Sequence, residues 1–221
     1  MTWVKICGMT SLESACNAVE AGADAVGFVF WDKSPRNISP QKAREIAEQL
    51  PSHVEKIGVF VEHSIDDVRR TAEAAALTAV QLHADHYAKR TSEMLALKSS
   101  RPDLKLIVAL SAKKIRDVFV TSDFKNSLYA LMIDSGTKAS PGGTGNTFDW
   151  SKAHDLVVAT ATWPPIVIAG GLTPENVGEA LKRFKPFGVD VSSGVERAPG
   201  KKDPDKVRAF MQAVRAAEKS V

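Results

Sequence analysis

Ile166-Val167-Ile168-Ala169-Gly170-Gly171-Leu172-Thr173-Pro174 opens the stretch that decides the fold, and Gly188-Val189-Asp190-Val191-Ser192-Ser193-Gly194 closes it. In each segment a short, mostly apolar run is followed by paired glycines or serines, the pattern of a buried strand bounded by a turn. Between them Val177, Ala180, Leu181 and Phe184 recur at i, i+3, i+4 and i+7, which is one face of a helix. Thr173 before Pro174 has the form of an N-cap before a first-turn proline. Strand, helix and strand in this order make a parallel pair joined by a crossover helix.

The same unit repeats toward both ends. Apolar runs lie at Trp3 to Cys7, Ala25 to Phe30, Lys56 to Val61, Ala79 to Leu82, Leu104 to Leu110, Tyr129 to Ile133, Ile166 to Ala169 and Val189 to Val191. Helical periodicity predicts helices over Ser11 to Ala21, Pro40 to Leu50, Ile65 to Ala75, Ala88 to Ser99, Ala112 to Val120, Trp150 to Ala159, Pro174 to Phe184 and Pro204 to Glu218. Eight strands alternating with helices, at about 28 residues per unit, predict a single α/β domain folded as a (β/α)₈ TIM barrel over residues 1–221. An open doubly wound sheet would carry a glycine fingerprint after its first strand, and only Gly8 stands there.

Composition sets the class. With 44% apolar and 25% charged residues the chain can build a core and is not a disordered segment. A net charge of +3, with basic runs no longer than pairs such as Lys113-Lys114, gives no reason to expect a nucleic-acid partner. No apolar run approaches the ~20 residues of a membrane span, and the N-terminal residues lack the pattern of a signal peptide. Two cysteines, Cys7 and Cys16, do not make a disulfide scaffold, so a reduced, cytoplasmic protein is expected.

Active sites of such barrels form at the C-terminal ends of the strands. Those places hold Cys7-Gly8, Ser34-Pro35-Arg36, Gln81-Leu82-His83, Asp134-Ser135, Gly170-Gly171 and Ser192-Ser193-Gly194. The loops after strands seven and eight are the usual phosphate site, and glycines there let backbone N–H groups approach an anion. Gly142-Gly143-Thr144-Gly145, in the long stretch from Asp134 to Asp149, lacks the ending of a P-loop and reads as a lid over the ligand.

Cys7 and Asp134 are the acid–base candidates, on inward faces of different strands, although a buried small hydrophobe and a turn residue are the plainer readings. Lys5 or Arg36 could lower the Cys7 pKa. Arg36 could hold a carboxylate bidentately or be a solvated surface arginine. His83, Asp85 and His86 hint at a metal, but without a further ligand cluster none is expected. Cys16 falls on the apolar pattern of the first helix, and Trp31 and Phe187 read as surface apolar residues.

Taken in order, several motifs resemble phosphoribosylanthranilate isomerase. They are Lys5-Ile6-Cys7-Gly8, Gly27-Phe28-Val29-Phe30 with Ser34-Pro35-Arg36, Gly58-Val59-Phe60-Val61 and Val80-Gln81-Leu82-His83. Gly142 to Gly145 with Phe148-Asp149-Trp150, Ile168 to Leu172, and Gly188 to Glu196 with Pro199-Gly200 and Lys202-Asp203 complete the set. The resemblance spans essentially the whole chain. It implies an Amadori rearrangement of a small phosphorylated substrate in tryptophan biosynthesis, without cofactor or metal. On that resemblance Asp134 is the general acid at the furanose oxygen and Cys7 the general base. Arg36 would hold the anthranilate carboxylate, with Gln81, His83 and Asp190 lining the substrate pocket. Gly143, Gly170, Gly171, Ser192, Ser193 and Gly194 would receive the phosphate.

Two positions depart from the family pattern: Ala84 stands for a glycine and Asn146 for a common lysine. A related histidine-pathway sugar-phosphate isomerase is the alternative, but that chemistry uses paired aspartates where strand one supplies Cys7. A non-catalytic phosphate sensor would have lost the acid or the base. The protein is expected to be a monomer or a homodimer.

Overall fold

Alternate residues along each strand meet different surroundings, because successive side chains point to opposite faces. In the computed structural model, which describes residues 1–83, 87, 90–111, 122–134 and 164–219, this alternation closes a barrel. The strands are β1 (Trp3–Cys7), β2 (Ala25–Val29), β3 (Glu55–Phe60), β4 (Ala79–His83), β5 (Lys105–Ser111), β6 (Ala130–Asp134), β7 (Ile166–Ile168) and β8 (Gly188–Val191). They pair in parallel in chain order, and β8 returns to β1 with Lys5 beside Asp190. Every predicted strand is present, with ends within one residue of the sequence reading.

The described helices are α1 (Leu12–Glu20), α2 (Pro40–Ala47), α3 (Ile65–Ala74), α4 (Thr91–Ser100), α5 (Ser122–Ser127), α6 (Val177–Phe184) and α7 (Pro204–Glu218). Side chains of Ser11, Ser39, Ser64 and Asp203 accept hydrogen bonds from first-turn N–H groups, which sets four of the starts. Thr173 does not cap α6. The Asn176 carboxamide instead accepts from the Thr173 N–H at 2.8 Å, so Pro174 lies in a preceding turn and the helix begins three residues later than expected. The six-residue α5 was not foreseen, being too short to show a period. The predicted helices over Ala112 to Val120 and Trp150 to Ala159 lie outside the described residues.

Two apolar layers hold the fold. Outward-facing Val4, Ile6, Val26, Phe28, Val80 and Leu131 pack under the helices, and α7 contributes Val207, Phe210, Met211 and Val214. Each such fully buried side chain contributes about 1.5–3 kcal/mol. Inside the barrel, Ile57, Ile107, Met132 and Val167 alternate with small Ala25, Ala79, Ala109, Ala130 and Ala169. Trp3 plugs the N-terminal end, stacked on Phe187 and meeting Tyr129 edge-on. The small inner residues leave room for the long, buried Lys5 in the layer beneath the strand ends.

Candidate active site

A cleft of about 250 Å³ opens at the C-terminal ends of the strands. Cys7, Arg36, Gln81, His83, Asp134, Gly170, Gly171, Asp190, Ser192 and Ser193 all line it. The structure therefore brings together most of the site residues named from sequence. Gly143 and the departures at Ala84 and Asn146 lie outside the described residues, as do Asp85 and His86. Among the described residues no group of three or more potential ligands could hold a metal. No described helix is long and apolar enough to cross a membrane.

Cys7 is the last residue of β1 and points inward above Lys5. Lys5 is fully buried, its Nζ 2.8 Å from Asp190 Oδ1, and its charge acts on the Cys7 thiol above it. Burial pushes the Cys7 thiol up from its ordinary value, while the positive Lys5 and Lys202 pull it back toward the thiolate. For Lys5, burial works against the charge, but Asp190 and Cys7 outweigh it and the pKa is raised. Asp134 ends β6, three strands from β1 around the barrel through β8 and β7, and is half-buried at the rim of the same cleft.

The loops after β7 and β8 form one wall. Gly170 and Gly171 have φ of +85° and +66°, a left-handed backbone turn that glycine adopts without penalty. Gly194 sits in the short turn 193–195 against the Leu172 carbonyl, where a Cβ would stand only 1.9 Å from that oxygen. Ser192 Oγ donates to the Cys7 carbonyl at 3.1 Å, tying this wall to β1.

Arg36 lies in the loop after β2, with its side chain only 12% exposed, which removes the surface-arginine reading. Its Nε and Nη2 donate to Glu196 Oε1 and Oε2, both at 2.8 Å. Glu196 thus takes two of the five N–H donors of the guanidinium. Gln81 is buried, and its Oε1 has no hydrogen-bond partner among the described residues.

Glu196, Lys202 and Trp31 are the site residues that sequence reading missed. Trp31 is no surface residue: it lines the cleft and packs against Cys7, Val29 and Val59. Its position directly after the β2 run was the available signal. Phe187 is 40% exposed, as expected, and Cys16 packs against the outer core.

Fold and site together define a (β/α)₈-barrel enzyme whose cleft joins a buried thiol, a carboxyl group, a guanidinium and a glycine-turn wall. A family profile for N-(5'-phosphoribosyl)anthranilate (PRA) isomerase matches residues 4–213. The chain belongs to the N-(5'-phosphoribosyl)anthranilate isomerase family. It is 45% identical to the isomerase of Geotalea uraniireducens over 212 residues, which covers 96% of this chain and 98% of that one. The crystal structure of the Thermotoga maritima phosphoribosyl anthranilate isomerase is 38% identical with a TM-score of 0.84, covering 98% of this chain and 100% of that chain. A second similar structure is a phosphoribosyl anthranilate isomerase in complex with reduced 1-(o-carboxyphenylamino)-1-deoxyribulose 5-phosphate. It is 37% identical with a TM-score of 0.80, over 98% of this chain and 100% of that one.

Proposed function

We propose that this chain converts phosphoribosylanthranilate to 1-(carboxyphenylamino)-1-deoxyribulose 5-phosphate in tryptophan biosynthesis, with Asp134 as general acid and Cys7 as general base. The observation that carries the reading is that Cys7 and Asp134 end strands β1 and β6 and line one cleft. Such an arrangement gives a proton donor and a proton acceptor access to one small ligand.

The ligand held by the related enzyme has an anionic group at each end and an aryl ring. In this chain the ends correspond to Arg36 and to the wall made by Gly170, Gly171, Ser192, Ser193 and Gly194. Trp31, Val29 and Val59 supply an apolar wall of a kind suited to the ring. Gln81, His83 and Asp190 line the remaining surface. Gly143 joins the phosphate side on the resemblance alone.

Chemistry then follows in two proton transfers with the enzyme and one within the intermediate. Asp134 gives its proton to the furanose ring oxygen, the bond from that oxygen to C1′ breaks, and the anthranilate nitrogen lone pair forms a C1′ iminium. The Cys7 thiolate removes the proton from C2′, and that bonding pair forms the C1′–C2′ double bond while the iminium is neutralised. The resulting enolamine moves a proton from the C2′ hydroxyl to C1′ and becomes the ketone, while solvent takes the proton from Cys7 and returns one to Asp134. Substrate and product have the same atoms, so no oxidant or reductant is consumed. Lys5 supports the step by favouring the thiolate electrostatically.

Loss of phosphoribosylanthranilate fluorescence in the presence of the purified protein tests the reading. Consumption with formation of the ketone product is expected, and no consumption overturns it.

A further inference from the structure

We propose that Glu196, itself held by Lys202, is a positioning residue that fixes Arg36 for a ligand carboxylate. The proposal rests on the role given to Arg36 above and extends it to the segment between β8 and α7.

Residues Glu196–Ala198 (β9) and Lys201–Lys202 (β10) form a short antiparallel hairpin between β8 and α7. Both charged ends of this hairpin are buried, Glu196 at 8% and Lys202 at 5% exposure. Buried charges persist only when paired, and here the pairing is dense. Lys202 Nζ stands 2.8 Å from Glu196 Oε1, the same oxygen that accepts from Arg36 Nε. Burial disfavours the Glu196 carboxylate, but Arg36 and Lys202 overcome this and hold its pKa below the ordinary value.

The hairpin is fastened to the loops after β1 and β2. Thr10 Oγ1 donates to the Gly200 carbonyl at 2.7 Å, and Gly200 lies so close to Pro35 that a Cβ would meet the Pro35 oxygen at 2.7 Å. Lys206 Nζ donates to the Glu196 carbonyl at 2.9 Å. Lys202 also donates to the Ser192 carbonyl at 3.0 Å, so one network joins Arg36 to the loop after β8.

Two consequences follow for Arg36. Its two-point contact with Glu196 freezes a side chain that otherwise carries much rotamer freedom, so that cost is met before a ligand arrives. Two cations and one anion leave the cluster with one net positive charge, which a carboxylate neutralises. A hairpin that merely staples the barrel would affect all ligands alike. A device that aims Arg36 affects only those with the carboxylate.

Steady-state kinetics of Glu196→Gln distinguishes these cases, with phosphoribosylanthranilate and with the analogue N-phosphoribosylaniline, which lacks the carboxylate. The expected result is a fall in kcat/KM of about tenfold or more on the carboxylate substrate, mainly through KM. On the analogue the expected fall is less than about twofold, because no carboxylate bond is lost. In an Arg36→Ala background the same substitution should add no further loss. Equal losses on both compounds, an additive loss in that background, or no change in KM overturns the proposal. Should Glu196→Gln fail to fold, Glu196→Asp carries the same comparison with the charge kept and the reach shortened. An inactive wild type would overturn the proposed function and this inference with it, whereas an active wild type with unselective variants overturns this inference alone.

Discussion

Gly27 stands against Cys7: a Cβ built on Gly27 would lie 2.8 Å from the Cys7 Sγ and 3.1 Å from Lys5 Cε. The neighbouring strand thus leaves its side-chain position vacant so that the thiol and the lysine beneath it can share the interior. In sequence Gly27 stands within an apolar run and opens a family motif, and its physical meaning comes from the β1–β2 register that sets it beside Cys7.

Gly27→Ala should displace the thiol without abolishing the fold. Overpacking a filled interior costs about 1–3 kcal/mol, read as a lower midpoint of thermal unfolding. A displaced base should lower kcat by up to about 100-fold. A folded variant with wild-type kcat would show that the Cys7 position is not critical.

Lys5→Met should leave the effect of burial on Cys7 less opposed. Burial raises the thiol pKa and Lys5 lowers it, so the substitution moves the thiol pKa further up. The alkaline-rising limb of kcat/KM should shift to higher pH. Iodoacetamide should modify Cys7 more slowly at a fixed pH, measured in a Cys16→Ala background. The substitution also strands Asp190, at a cost of about 3–5 kcal/mol that Lys5→Met with Asp190→Asn should partly recover. An unchanged limb and alkylation rate would remove Lys5 from the account.

Glu196 makes stability depend on pH in a defined direction. Its folded pKa lies below the unfolded value, so its contribution is present above about pH 4.5 and is lost as pH falls through the folded pKa. Glu196→Gln should lower the midpoint of thermal unfolding at pH 7 by roughly 5 °C or more. The gap to the wild type should close as pH drops below about 4.5. A gap that is constant from pH 7 to pH 3 would contradict the assignment.

The barrel was legible because its information is local. Each strand announces itself by a short apolar run, and the strict alternation with helices leaves few topologies. Cys7, Asp134 and Gln81 were legible as cleft residues because strand-end position and alternation predict where they point, whereas Asp190 is named by the family resemblance alone. What stayed hidden depends on partners far apart in sequence. Arg36 and Glu196 are separated by 160 positions, and nothing near either one names the other. The two-point bond that Arg36 makes goes to Glu196, and three further N–H donors of the guanidinium are left for a ligand. The Thr173 cap failed for a local reason, since Asn176 closes a competing turn that delays α6. Trp31 was misplaced because a tryptophan after a strand reads alike whether it faces solvent or folds over the barrel mouth.

The pairing of Cys7 with Asp134 is the central claim, and single-turnover consumption of phosphoribosylanthranilate by Cys7→Ala and Asp134→Asn tests it most directly. Both variants should bind reduced 1-(o-carboxyphenylamino)-1-deoxyribulose 5-phosphate and unfold cooperatively, while the rate of each falls by about 10²–10⁴-fold. Turnover near the wild-type rate in either folded variant would contradict the assignment of base or acid.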